Sequence, residues 1–119
     1  MSDIKLGVIE SKFADIIWQN EPVASSELAH LAFEKLNWKK STTYTVLKRL
    51  CDRGIFKNDN GTVVSLLNKK DFYALQSEKF VEETFSGSLP AFVAAFSSRK
   101  KLSEDDINQL QSMIDSMRR

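Results

Sequence analysis

Along the first third of the chain, apolar residues return every three or four positions: Leu6, Ile9, Phe13, Ile16 and Ile17, then Leu28, Leu31, Ala32 and Leu36. Residues at that spacing share one face of a helix, so the pattern predicts amphipathic helices over about 6–20 and 26–36. Pro22 separates them, because the residue before a proline is pushed out of the helical region. Pro22-Val23-Ala24 is expected as a very short extended segment. Ser25 or Ser26 is the expected N-cap of the second helix, with Glu27 in the first turn, where the helix dipole favours an anion. His30 falls off the apolar line of that helix and reads as a surface histidine.

Asn37-Trp38-Lys39-Lys40 leaves room only for a tight turn into a third helix over about 41–53, which Gly54 stops as the C′ residue. Counting from Thr43 as zero and stepping about 100 degrees per residue puts Val46, Leu47 and Leu50 in one apolar sector, and Ser41, Thr42, Thr45, Lys48, Arg49 and Asp52 opposite. One face suits a core and the other is a strip of hydroxyls and cations. Two helices joined by a tight turn, the second carrying a polar strip, is helix-turn-helix geometry. Asn58-Asp59-Asn60-Gly61 then stands between the β-prone runs Ile55-Phe56-Lys57 and Thr62–Leu67. Asn-Gly between such runs predicts a hairpin, because both residues accept positive φ. Three helices followed by a hairpin make a winged helix.

From Lys69 the pattern changes. Phe72, Tyr73, Leu75, Phe80, Val81 and Phe85 lie on more than one side of a helix running to about 85, which implies contact with two different surfaces. Gly87 breaks it. Leu89, Phe92, Val93 and Phe96 form a stripe on a short helix. A polar link over 97–101 follows, and Ser103-x-x-Asp106 caps a last helix bearing Ile107, Leu110, Ile114 and Met117. These helices follow a complete winged-helix core, and a twofold copy of themselves is the expected cover; the alternative is packing back on their own core. The expected fold is therefore mainly α (α+β): a winged helix-turn-helix with a small two- to three-stranded wing and a C-terminal helical dimerisation arm. The expected domains are 1–68, winged helix, and 69–119, dimerisation, with Phe85, Leu89, Phe92, Val93, Phe96, Ile107, Leu110, Ile114 and Met117 as the dimer residues.

The net charge of +1 over 119 residues gives no global pull toward nucleic acid, but its distribution does. Residues 1–36 carry −3, and 58–119 carry −1. Residues 37–57 carry +5, from Lys39, Lys40, Lys48, Arg49, Arg53 and Lys57 against Asp52 alone. Positive charge is thus focused on the third helix and its follow-on. Hydroxyls and cations on an exposed helix face can bond base edges and phosphates. The alternatives are a solvated face and a winged-helix protein-interaction module without DNA binding. A protein-binding module has no evident need for that concentrated charge.

One cysteine, Cys51, and one histidine exclude an intrachain disulfide and a metal-ligand constellation, so no metal or cofactor is expected. Cys51, at the edge of the apolar sector, is expected to be a partly buried small hydrophobe. No nucleophile with a base, phosphate-cradling glycine loop or carboxylate pair on one face is present, which argues against an enzyme. No run reaches the roughly 20 apolar residues of a membrane span, and the acidic N-terminus is unlike a signal peptide. A cytoplasmic location without membrane insertion is expected.

Together these residues resemble the penicillinase-repressor family (BlaI/MecI/CopY type), bacterial winged-helix repressors of β-lactam-resistance and copper-homeostasis genes. The matching positions are Leu6, Glu10 and Ile17-Trp18, then Glu27-Leu28 and Leu31, then Trp38, Thr42, Thr45, Leu47, Arg49-Leu50 and Gly54. In the C-terminal part they are the Gly87 segment, Phe96, Leu102-Ser103-x-Asp105-x-Ile107 and Leu110. The resemblance spans about residues 6–116. It implies a homodimeric transcriptional repressor whose third helices enter successive major grooves of a pseudo-palindromic operator in double-stranded DNA and occlude the promoter. Ser41, Thr42, Tyr44 and Thr45 match helix residues that meet bases and nearby phosphates, and Arg49 a phosphate contact. Local chemistry adds Lys39, Lys40 and Lys48 as backbone contacts and Lys57 as a modest wing contact.

Three departures stand out. Lys39-Lys40-Ser41 replaces the family's Ser-Pro-Lys or similar triplet after the tryptophan. The paired Cys-x-Cys motifs of the copper-responsive branch are absent, which disfavours direct copper sensing. In the β-lactam branch a membrane sensor triggers cleavage of an Asn-Phe bond; the aligned pair here is Ala95-Phe96, which keeps the phenylalanine and lacks the asparagine.

Overall fold

Residues 6–119 are described by the computed structural model; Asp3 and Lys5 of the acidic N-terminal block, and the first five positions of the expected 1–68 domain, lie outside them. The elements in order are α1 (Val8–Asn20), β1 (Val23–Ala24), α2 (Ser25–Leu36), α3 (Lys40–Asp52), β2 (Phe56–Asp59), β3 (Thr62–Ser65), α4 (Lys69–Phe85), α5 (Leu89–Arg99) and α6 (Glu104–Met117). The strands form one antiparallel sheet in the order β1-β3-β2. The chain divides into two compact units, the first ending at Ser77 and the second being Glu78–Arg119, so the division falls within α4.

The first unit closes on a core in which Phe13, Ile17, Leu28, Leu50, Ile55, Phe56, Val63 and Phe72 are essentially fully buried. Burying each of the larger side chains contributes about 1.5–3 kcal/mol relative to leaving it in water. Trp18 borders this core, its ring 5.3 Å from Phe56 and 5.6 Å from Phe72, and its indole N–H donates to the Leu67 carbonyl at 3.1 Å. The start of α4 is thereby built into the winged helix through Phe72, and an ion pair of 2.7 Å between Lys69 and Asp15 adds to it. The hydrogen bond to Asp15 holds the Lys69 ammonium above the usual lysine range.

The first helix begins at Val8 rather than Leu6, and Ile9, expected on its core face, is about half exposed. Gly7 is the N-cap, and the Glu10 carboxylate accepts its N–H at 3.3 Å, which fixes where the helix starts. The second helix is capped by Ala24, not by Ser25 or Ser26. The reason lies in the sheet: Ala24 pairs with Thr62, and the Ser25 N–H donates to the Gly61 carbonyl at 2.7 Å, so the wing turn supplies the acceptor that a side chain would otherwise provide. Of the extended segment expected at Pro22–Ala24, Val23 and Ala24 form β1, which adds a third strand to the wing sheet.

At the other end of α2, Asn37 takes the left-handed conformation at φ 58°, which asparagine tolerates better than most residues. The Asn37 and Trp38 N–H groups close back on Phe33 and Ala32, an arrangement that satisfies the last carbonyls of a helix. Trp38 lies 5.0 Å from Phe13 and pins the turn to the core. Lys39 then caps α3, which starts at Lys40 rather than Ser41 and ends at Asp52. Gly54 follows at φ +80°, the expected stop. In the hairpin, Asn60 and Gly61 both have positive φ, and Asp59 faces Thr62, a two-residue turn as the Asn-Gly pair predicts.

In the second unit, Ser86 and Gly87 turn the chain in the left-handed region. Ser88 caps α5, its hydroxyl accepting the Ala91 N–H at 3.1 Å, and Ser103 caps α6, accepting the Asp106 N–H at 3.0 Å. The fifth helix continues through Ser97 and Ser98, which were expected in the link. Their hydroxyls donate to the carbonyls of Ala94 and Ala95, so both serines are accommodated inside a helix.

Candidate nucleic-acid interface

Thr43, Val46, Leu47 and Leu50 face the core and fix the rotation of α3 about its axis. That rotation leaves Lys39, Lys40, Ser41, Thr42, Thr45, Lys48 and Arg49 exposed along the opposite side. Thr43 belongs to the inner face despite its hydroxyl, which donates to the Lys39 carbonyl at 3.4 Å. An α-helix is about 10–12 Å across with its side chains, and the B-DNA major groove is about 12 Å wide.

The strip's internal geometry differs from one residue to the next. The Thr45 hydroxyl donates to the Ser41 carbonyl at 2.9 Å; its oxygen keeps lone pairs for a further donor. Tyr44 is half-buried against the core, and the Lys40 ammonium lies 5.8 Å over its ring, a cation–π contact. Lys48 pairs with Asp52 at 3.2 Å, an exposed contact across one helical turn that contributes little. Among the described residues, Lys39 and Lys57 make no ion pair; Lys57 sits exposed on β2, apart from the helix.

Sequence periodicity did not disclose the role of Glu10. Its carboxylate meets Arg49 at 3.2 Å through one oxygen and Arg53 at 3.8 Å through the other, tying the start of α1 to the end of α3. Those partners are 39 and 43 positions away, beyond the reach of any local spacing rule. Cys51 is partly buried against the core, and burial pushes its thiol above the usual range, an effect only partly offset by the Asn58 N–H. It is poorly suited to act as a thiolate at neutral pH. His30 pairs with Glu34 on the surface.

In the second unit, Phe80, Phe85, Phe92 and Phe96 form a chain of ring contacts with centroids 5.6–6.4 Å apart. Phe85 and Phe92 are half-buried; Leu89, Val93 and Phe96, together with Ile107, Leu110, Ile114 and Met117, are exposed. Neither α5 nor α6 buries a single residue within this chain. Phe80, read on the fourth helix but not among the dimer residues, and Met113, not read at all, also belong to the exposed apolar set. The signal for Met113 was present, since it follows Leu110 by three positions on the same stripe. Ala95-Phe96 lies inside α5, and the Ala95 carbonyl accepts the Ser98 hydroxyl at 2.8 Å, so cleavage there requires local unwinding. Among the described residues no helix is long and apolar enough to cross a membrane.

The chain as a whole is similar to several known proteins. The methicillin resistance regulatory protein MecI of Staphylococcus aureus is 25% identical over 109 residues, covering 88% of this chain and 89% of its own length. The penicillinase repressor of Bacillus licheniformis is 23% identical over 119 residues, covering 97% of this chain and 89% of its own. MecI of Mammaliicoccus sciuri is 24% identical over 109 residues. The family model described as penicillinase repressor matches residues 6–116, from the last residue before Gly7 through nearly all of α6, and so takes in the wing, the exposed helix and both helices of the second unit. That span makes this chain a member of the penicillinase repressor family.

Proposed function

We propose that the chain is a homodimeric, sequence-specific transcriptional repressor that binds a pseudo-palindromic operator with one α3 in each of two successive major grooves and thereby occludes a promoter. The observation that carries this reading is the split character of α3. Its apolar residues are locked in the core, and its exposed side offers Ser41, Thr42 and Thr45 hydroxyls flanked by Lys39, Lys40, Lys48 and Arg49. The hydroxyls and Tyr44 read base edges and nearby phosphates. The cations, with Lys57 on the wing, hold the backbone and set the register. Residues 1–68 serve as the DNA-binding domain, with the start of α4 packed on it through Phe72, and the rest of 69–119 serves as the dimerisation arm, whose exposed apolar faces on α5 and α6 cover their twofold copies. The mechanism is steric and needs no cofactor.

The test is a gel-shift titration against genomic DNA fragments at two salt concentrations. If the dimer neutralises about six to ten phosphates, its affinity falls by about three to five decades between about 50 and 200 mM salt. Binding that is absent, or that stays flat across this range, would sink the proposal and favour a protein-interaction module.

A further inference from the structure

Glu10 has no place in the DNA-reading scheme as stated. It lies on α1, and its charge has the wrong sign for a phosphate. Yet it is the most heavily used carboxylate near the exposed helix. One oxygen accepts from Arg49 at 3.2 Å; the other lies 3.8 Å from Arg53 and accepts the Gly7 N–H at 3.3 Å. With partners on both oxygens, the carboxylate cannot turn without losing contacts, and its side chain is only 20% exposed. The Arg49 side chain is 50% exposed and meets Glu10 through a single Nη. A guanidinium carries five N–H donors in a rigid fork, so most of its donors remain for another acceptor.

We infer that Glu10 is a positioning residue for DNA binding: it holds the Arg49 guanidinium at the edge of the α3 strip, already ordered for a backbone phosphate. This rests on the DNA-binding reading above. The physical gain is one of pre-ordering. A free arginine loses its rotamer freedom when it meets a phosphate, whereas an arginine already held by a carboxylate has less freedom to lose. The opposing effect is repulsion between Glu10 and the phosphate. A phosphate on the same guanidinium lies inside the screening length of about 10 Å at about 0.1 M salt, so that repulsion is only partly attenuated and competes directly with the positioning effect. The two effects give opposite signs on removing the charge. Repulsion alone makes Glu10→Gln a tighter binder; positioning makes it a weaker one, although the protein has become more positive.

A phosphate contact is made on any sequence, so a mixed-sequence DNA duplex serves as the probe. Affinities of the wild type, Glu10→Gln, Arg49→Ala and the double variant are measured at about 0.1 M salt. Glutamine keeps an oxygen for the Gly7 N–H. The expected result is that Glu10→Gln binds about threefold to tenfold more weakly than wild type, the effect of losing one partly exposed charge-assisted contact, and that the same change causes no loss in the Arg49→Ala background. Unchanged or tighter binding by Glu10→Gln overturns the inference. Equal weakening in both backgrounds also overturns it, because Glu10 would then act through the fold rather than through Arg49. A wild type that binds no DNA refutes the underlying reading instead, and is told apart by its own titration.

Discussion

Thr45 and Arg49 stand one turn apart on the exposed side of α3, and in the proposed DNA-binding role their chemistry divides the two tasks of recognition. A threonine hydroxyl can discriminate between base edges. An arginine at the end of the strip, half exposed and held by Glu10, offers charge to a phosphate that every sequence has. Arg49→Ala should therefore weaken binding to operator and mixed-sequence DNA alike and lower the salt slope by about 1. Thr45→Ala should lose roughly fivefold on the operator, about the worth of one neutral hydrogen bond, and less on mixed sequence. Competition gel shifts with both DNAs check this. Equal losses from Thr45→Ala on the two would remove Thr45 from base reading. The threonine hydroxyl must also leave its present bond to the Ser41 carbonyl or accept a second partner, which caps what it can contribute.

At the scale of elements, what was legible in the sequence and what was not separates by range. The helices and the Asn60-Gly61 turn rest on local periodicity and on residues that accept positive φ, so their spans came within a few positions. The rest depended on distant partners. Ile9 fits the apolar line but lies on the first turn of α1 and is half exposed. Glu10 counted only as one acidic residue of 1–36 and as a position shared with the family until the fold brought Arg49 and Arg53 beside it. The caps show the same division, and they can be tested. Ser103 caps α6 through its own hydroxyl, so Ser103→Ala should destabilise the helix by about 1 kcal/mol. Ser25→Ala and Ser26→Ala should stay within about 0.5 kcal/mol, because the first N–H of α2 is taken by the Gly61 carbonyl of the wing. Denaturant midpoints of the three variants decide it: a loss at Ser25 or Ser26 as large as at Ser103 would restore the side-chain cap.

For the whole molecule, the decisive fact is that no residue of α5 or α6 is fully buried within one chain, while Phe96, Ile107, Leu110, Met113 and Ile114 stand exposed. An isolated pair of short helices gains little stability without covering such faces. A second copy covers like with like, and a twofold arrangement also matches an operator whose two halves are related by the same symmetry. In the proposed homodimer stability and recognition share one interface, and a charge placed on it should damage both. Ile107→Asp or Leu110→Asp should sediment as a monomer. Each should also bind a full operator roughly a hundredfold more weakly than wild type, the loss expected when two linked sites become two separate ones. Affinity for a half-site duplex should change far less, because α3 lies in the other unit and keeps its core. A variant that remains dimeric would move the interface off α6. One that becomes monomeric yet keeps full operator affinity would show that the two halves of the site are not read together.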